Sequence, residues 1–158
     1  MEAVGALRVE AYRAGGLLAA SYAPTLRGLG ADGHGTVLVA AGDGADAKLL
    51  GTAMLEPWHD HSEVARSPQE AEVRALAVAP WAQGLGVGRA LMLAIMDEAA
   101  ATGATRLLLL TQPAMTAAQA LYRSLGFTRL PGLDWTPVPG ITLLAFGLPL
   151  AGQDLPPR

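Results

Sequence analysis

The stretch that decides the fold is Leu76-Ala-Val-Ala-Pro-Trp-Ala-Gln-Gly-Leu-Gly-Val-Gly-Arg-Ala-Leu91. It reads as the end of a strand, a connector opened by Pro80, a glycine-rich turn and the start of a helix. Glycines at 84, 86 and 88 allow positive φ and leave the turn's N–H groups unobstructed. Together with the first free N–H groups of the helix, they form a concave site of positive potential suited to a phosphate or pyrophosphate. Arg89 stands where it can add a charge-assisted contact. Two common phosphate loops do not fit. A P-loop needs Lys-Ser/Thr after its last glycine, and Arg89-Ala90 follows Gly88. A dinucleotide fingerprint counted from Gly84 or Gly86 needs a glycine at 89 or 91, where Arg and Leu stand. A turn that merely packs strand against helix is the plain alternative.

Outward from this block the chain alternates short apolar runs with amphipathic ones. Upstream, Ala71-Glu-Val-Arg-Ala-Leu-Ala-Val78 alternates, with Val73, Ala75 and Ala77 on one face and Glu72, Arg74, Leu76 and Val78 on the other. Thr36 to Ala40 and Leu49 to Leu55 read as strands joined by the turn Gly42-Asp-Gly-Ala-Asp46. Val4 to Ala20 has helical spacing interrupted at Gly15-Gly16, and Gly28 to Gly35 reads as loop. Downstream, the helix runs from Gly86 or Gly88 to Thr102, with Leu91, Ile95 and Ala99 on one side and Asp97 and Glu98 on another. Arg106 to Thr111 suits a strand buried on both faces. Thr116 is expected to cap a helix, Ala117 to Leu125, that Gly126 ends. A Pro/Gly-rich loop over Leu130 to Gly140 leads to a last strand, Ile141 to Leu148, and 151–158 reads as a frayed tail. The order is α, β-β-β, α, β, α, β, a mixed α/β (α+β) domain over 1–150.

Composition narrows the function classes. Of 158 residues, 51% are hydrophobic and 16% charged, which excludes a disordered chain. No apolar run nears the roughly 18–20 residues that span a bilayer. The formal charge of −3, with no basic run, argues against nucleic acid as partner. No cysteine is present, so there is no disulfide framework, thiolate metal site or cysteine nucleophile. That absence fits a cytoplasmic protein.

Two motifs stand in order. Gln83-x-x-Gly86-x-Gly88 follows Leu76-x-Val78-x-Pro80 and resembles the acetyl-CoA signature of the GCN5-related N-acetyltransferase (GNAT) superfamily. Ala120-Leu-Tyr-Arg-Ser-Leu-Gly-Phe127 resembles that family's Leu-Tyr-x-x-x-Gly-Phe motif at the expected separation. The resemblance covers about Leu49 to Leu148 and implies the acyl-CoA N-acyltransferase fold, a mixed twisted sheet flanked by helices. It implies an N-acetyltransferase, an acyltransferase moving acetyl from the co-substrate acetyl-CoA to a primary amine of a small molecule, peptide or protein. The attack would be direct, in a ternary complex, with no metal and no membrane.

The resemblance also assigns residues. Backbone groups of Leu76, Ala77 and Val78 would pair with pantetheine and acetyl as if the cofactor were an extra strand. The turn Gln83, Gly84, Leu85, Gly86, Val87, Gly88 and Arg89 would hold the pyrophosphate. Tyr122 matches the family tyrosine beside the thioester sulfur and would act as acid; a tyrosine packed for its ring alone is the alternative. Glu72 matches the strand glutamate that serves some members as general base, directly or through water. Counted by alternation it shares a face with Leu76, and the alternative is a partly solvated glutamate paired with Arg74 or another base.

Two departures accompany the match. Met115 stands where many members carry Asn, so a pantetheine contact is lost unless Thr111, Gln112 or Thr116 compensates. The family starts with a strand before its first helix, whereas this chain begins inside the helix: either that strand is absent or the chain starts downstream of it. These departures leave open a non-catalytic acyl-CoA-binding sensor or scaffold, and an enzyme using a longer acyl-CoA. In Trp58-His-Asp-His61-Ser-Glu63 the two histidines lack the ligand count of a metal site. The segment reads as a solvated loop, with Trp58 available to an acceptor pocket. Trp81 and Trp135 read as core or rim. An exposed last strand and the apolar composition would suit a homodimer.

Overall fold

The computed structural model describes residues 1–16, 22–45 and 47–150. The elements are helices α1 (Glu2–Ala14) and α2 (Ala23–Gly28), strands β1 (Thr36–Ala41), β2 (Leu49–Pro57) and β3 (Glu70–Val78), helix α3 (Val87–Ala101) and strand β4 (Arg106–Thr111). Helix α4 (Thr116–Ser124) and strands β5 (Thr128–Arg129), β6 (Trp135–Val138) and β7 (Ile141–Pro149) follow. They make a mixed seven-stranded sheet of order β1-β2-β3-β4-β7-β5, with β6 paired to β7, flanked by helices. Residue contacts divide the chain into two compact units, Met1–Leu55 with Ala75–Ile95 and Glu56–Arg74 with Met96–Arg158.

In the first unit, β1 and β2 form an antiparallel hairpin in which Thr36 faces Leu55 and Ala40 faces Gly51. The buried Thr52 hydroxyl donates to Leu38 O at 2.8 Å, giving a polar group inside the sheet its partner. Leu7 of α1 packs with Ala77, Ala79 and Ala82, joined by Leu49, Leu50 and Val78. A Cβ on Gly51 would lie 2.8 Å from Val87 Cγ1 and 2.9 Å from Ala77 O, so only glycine lets the strand sit this close to the start of α3. Arg8 is fully buried and donates to Leu26 O (3.2 Å) and Leu29 O (2.7 Å), answering carbonyls that the end of α2 leaves open. On α3, Leu91, Met92, Ile95 and Ala99 are buried while Asp97 is exposed, the amphipathic face that the periodicity predicts.

In the second unit, β4 lies between two partners. Glu70–Val73 run parallel to Arg106–Leu109, and Arg106–Thr111 pair antiparallel with Leu144–Pro149 of β7. Leu107, Leu108 and Leu109 are buried, as an apolar run covered on both faces requires. Val64 and Ala65 pack with Leu108 and Ala145, so the segment between β2 and β3 is anchored in the core rather than fully solvated. Asp134 accepts Arg129 Nη1 (2.7 Å) and Nη2 (2.9 Å) and the Ala145 N–H (2.8 Å). The Arg129 hydrogen bonds hold the Asp134 carboxyl below the ordinary carboxylate range.

Several expectations need correction. The helix at Glu2–Ala14 stops before Gly15-Gly16, and its expected continuation over 17–20, like the tail at 151–158, lies outside the described residues. Helix α2 forms where no helix was expected, directly before the glycine-rich loop. Thr116 is the first residue of α4, not its cap; Met115 holds the cap position without a side-chain hydrogen bond. The stretch 130–140 is not all loop, because a 3-10 turn at Pro131–Leu133 and the exposed strand β6 form within it. The last strand is no exposed edge: β7 pairs with β4, β5 and β6, so this route to a homodimer falls away.

Strand β3 departs furthest from simple alternation. Ala71, Glu72 and Val73 are all buried, and Ala75 has φ +54. A residue in the left-handed region inside a strand breaks the two-residue pleat. The face that Glu72 would share with Leu76 by counting therefore does not carry across Ala75.

Candidate active site

Two of the three glycines expected to take positive φ do so, while Gly88 lies within α3 and does not. Gly84 (φ +82) and Gly86 (φ +81) both occupy the left-handed region, and no atom lies within 4 Å of where a Cβ would stand on either. Gln83 is extended (φ −67, ψ 149), and the Ala90 N–H donates to Gly86 O at 3.0 Å, closing the first turn of α3. Residues Gln83 to Gly86 and Arg89 are exposed, Gly88 is half-buried, and Val87 is buried. The turn is thus an open, backbone-lined surface at the start of a 15-residue helix, where unpaired N–H groups and the helix dipole favour an anion. Leu76 and Val78 are half-buried and Ala77 is buried. All three lie past the stretch of β3 that pairs with β4, which covers Glu70–Val73. Beside the connector, Trp81 is exposed with Lys48 Nζ 5.7 Å from its ring centroid. The residues expected to hold an acyl-CoA therefore fit it: a backbone cradle for a diphosphate and strand backbone past the end of its pairing with β4.

Tyr122 lies on the buried face of α4, at 4% exposure. Its ring centroid is 5.9 Å from that of Phe127 and 6.1 Å from that of Phe146, with both pairs tilted. The helix end produces this packing. Gly126 (φ +100) turns the chain, and the Phe127 N–H returns to Tyr122 O at 3.0 Å. Before α4, the Thr111 hydroxyl lies 3.6 Å from Met115 Sδ. Gln119 donates its amide to Gln112 O (3.2 Å) and Pro113 O (3.0 Å). Gln119 went unnoticed in the sequence, where a single amide on an alanine-rich helix carries no signal.

Glu72 is buried, not partly solvated. It is 2% exposed, and its oxygens accept the backbone N–H groups of Glu63 (3.2 Å to each oxygen) and Val64 (3.1 Å to Oε1). Arg74, two residues on, instead donates from Nη2 toward Glu63 Oε2 (3.2 Å) and from Nη1 toward Glu56 Oε2 (3.5 Å). Glu56 in turn accepts His59 Nε2 at 2.9 Å, and the His61 N–H lies 3.1 Å from His59 Nδ1. Burial raises the Glu72 carboxyl above its ordinary range, against the Val64 hydrogen bond and the charge of Arg74; Glu63 and Glu56 raise it further. Glu63 is raised in the same way, by burial first and then by Glu56 against the lowering effect of Arg74. Trp58 is half-buried against the Val64–Leu108 cluster. Among the described residues no group of three metal-ligating side chains forms, and no helix is long and apolar enough to cross a membrane.

The chain is similar to known acetyltransferases in sequence and in fold. A mycothiol acetyltransferase from Thermobispora bispora is 40% identical over 86 residues, covering 52% of this chain and 29% of that protein. The chain spans less than a third of the length of the curated relatives it matches. A GNAT-family structure from Desulfovibrio desulfuricans superposes with a TM-score of 0.72 over 94% of this chain and 91% of its own, at 21% identity. The ribosomal-protein-S18-alanine N-acetyltransferase of Escherichia coli superposes at 0.56 with 27% identity, over 82% of this chain and 81% of its own.

Glu72 gives the site a testable electrostatic signature. A carboxyl whose pKa is raised on folding holds its proton more tightly in the native state, so its stabilising contribution is complete below the unfolded value and is lost as pH rises through the folded one. Glu72→Gln removes that titration. In denaturant unfolding at a series of pH values from 4 to 8, the stability advantage of wild type over Glu72→Gln should narrow as pH rises; a widening gap would contradict the raised carboxyl. Residues 3–127 match the Acetyltransferase (GNAT) family, and the chain, with its glycine turn and its Leu-Tyr-x-x-x-Gly-Phe helix end, belongs to it.

Proposed function

We propose that the protein is an N-acetyltransferase that moves acetyl from acetyl-CoA to a primary amine by direct attack in a ternary complex. The observation that carries this reading is the exposed turn Gln83–Gly86, with two left-handed glycines open to solvent just before α3, in a chain of the GNAT family. Main-chain N–H groups of the turn hold the pyrophosphate, with Arg89 beside them. Backbone groups of Leu76, Ala77 and Val78, past the stretch of β3 that pairs with β4, pair with the pantetheine arm.

Proton handling falls to two side chains. Glu72, its carboxylate oriented by two backbone N–H groups and its basicity raised by burial, accepts a proton from the acceptor ammonium through water. The freed amine attacks the thioester carbonyl; a C–N bond forms and the C–S bond breaks. Tyr122 protonates the departing sulfur and regains its proton from the second one the nitrogen gives up. The mycothiol and ribosomal-protein acetyltransferases among the relatives support an amine on either a small molecule or a protein.

Thiol release from acetyl-CoA and from longer acyl-CoA esters, across a panel of small-molecule and peptide amines, tests the reading. Turnover with at least one amine is expected. CoA-ester binding without thiol release for any amine would replace the enzyme by a sensor of the same fold, which the Met115 departure would then explain. Gly86→Val places a branched side chain in the left-handed region and into the open cradle. It should weaken CoA binding by a hundred-fold or so, about 2.7 kcal/mol, while the circular dichroism spectrum is retained; unchanged affinity would displace the diphosphate from this turn. Tyr122→Phe keeps the ring packing against Phe127 and Phe146. It should lower kcat about 10²-fold with the affinity for CoA nearly unchanged, and equal loss in both would remove its role as acid.

A further inference from the structure

We infer that Arg74 is a positioning residue, a clamp that holds the segment between β2 and β3 against Glu72 and so fixes the peptide groups that orient that carboxyl. The inference rests on the role proposed for Glu72 and goes beyond it, to a residue with no part in the family motif. The geometry runs through named atoms. Arg74 stands two residues after Glu72 on β3, before the break at Ala75, so the two side chains leave the same face of the strand. Its guanidinium reaches Glu63 Oε2 at 3.2 Å with one nitrogen and Glu56 Oε2 at 3.5 Å with the other. Glu63 closes the chain, because its own backbone N–H lies 3.2 Å from both Glu72 oxygens, followed by the Val64 N–H at 3.1 Å. Fixing the Glu63 side chain therefore fixes the peptide groups that orient Glu72.

Charge points the same way. The ionisable groups around Glu72 are Glu56 at the end of β2, Glu63 on the connecting segment and Arg74 on β3 itself, with His59 beyond on Glu56. Three carboxylates thus share one guanidinium that stays charged throughout the accessible pH range. Arg74 lowers the proton affinity of Glu63 and Glu72, whereas Glu56 raises that of both and Glu63 adds to the rise at Glu72. Arg suits this place better than Lys, since its planar fork can meet two carboxylates at once.

The test follows Glu72 directly and not only through turnover. The side-chain carboxyl carbon of Glu72 is titrated by NMR in wild type, Arg74→Met, Arg74→Lys and Glu63→Gln, and the pH profile of kcat/KM is recorded for each. Arg74→Met should move the Glu72 titration to higher pH and with it the acid limb of the rate profile, giving at least about a ten-fold loss of kcat/KM on that limb that closes as pH rises. Arg74→Lys, which keeps the charge, should recover part of the shift. Glu63→Gln, which removes a neighbouring negative charge, should move the titration the opposite way, and it keeps the test decisive if Arg74→Met does not fold. A Glu72 titration unmoved by Arg74→Met, or raised by Glu63→Gln, overturns the clamp. A loss of activity equal at all pH values reduces Arg74 to a structural role and also overturns it. If the Glu72 titration moves while the acid limb stays, the clamp stands and the assignment of Glu72 as base falls.

Discussion

A carboxylate taken out of water has to be answered, and Glu72 at 2% exposure is where the second unit meets that demand. Desolvating an ion costs several kcal/mol even after relaxation. A hydrogen bond to a charged group returns about 1.5–3 kcal/mol. Donors from a single neighbour would not suffice, and the chain supplies them from the backbone of Glu63 and Val64. That requirement brings the segment after β2 back onto β3, where Val64 and Ala65 then bury themselves against Leu108 and Ala145. The polar and apolar halves of this arrangement support each other. The carboxylate holds the two peptide groups, and the Val64 side chain beside them is buried in the core.

The same demand explains why parts of the molecule were legible in the sequence and others were not. Strands β1, β2, β4 and β7 show as short apolar runs and helix α3 as a periodic apolar face, and their bounds lie within a few residues of the reading. The glycine turn was legible for a different reason: Gly84 and Gly86 occupy a backbone region that other residues avoid, so composition reports conformation directly. Helix α2, six residues with Pro at its start, owes its place to Gly5 and Arg8. A Cβ on Gly5 would stand 2.6 Å from Arg27 O, and Arg8 binds the carbonyls at the helix end. Such a helix is set by what it touches, not by propensity. Strand β6 exists through pairing with β7 and leaves all four of its residues exposed, so no alternation marks it. Glu72 and Tyr122 were legible as residues through the family motifs, but their surroundings were not. The partners of Glu72 are peptide groups eight and nine residues away, and a backbone donor has no residue type to betray it.

Ala75 shows how a single backbone angle redistributes roles along a strand. Up to Val73, β3 is held in register by β4; from Leu76 on its backbone lies past that pairing. The left-handed angle between the two stretches costs on the order of 1–3 kcal/mol for a residue with a Cβ. Such strain persists only where the surroundings impose it. Here Glu72 and Arg74 are tied on one side through Glu63, Val64 and Glu56, and Ala77 is packed with Leu7, Ala79 and Ala82 on the other. Each stretch is therefore fixed by its own contacts, and the angle at Ala75 is what remains when both are satisfied.

The turn before α4 makes a related point about substitution. Where many members of the family carry an asparagine, Met115 can donate no hydrogen bond, and its sulfur is a weak acceptor that lies 3.6 Å from the Thr111 hydroxyl. The carbonyls of Gln112 and Pro113 are answered instead by Gln119, one turn into the helix. An amide that arrives from the helix can order the turn, but it spends both of these hydrogen bonds on the protein's own backbone. The turn is thereby ordered from within α4, and Met115 places no side-chain donor at its own position.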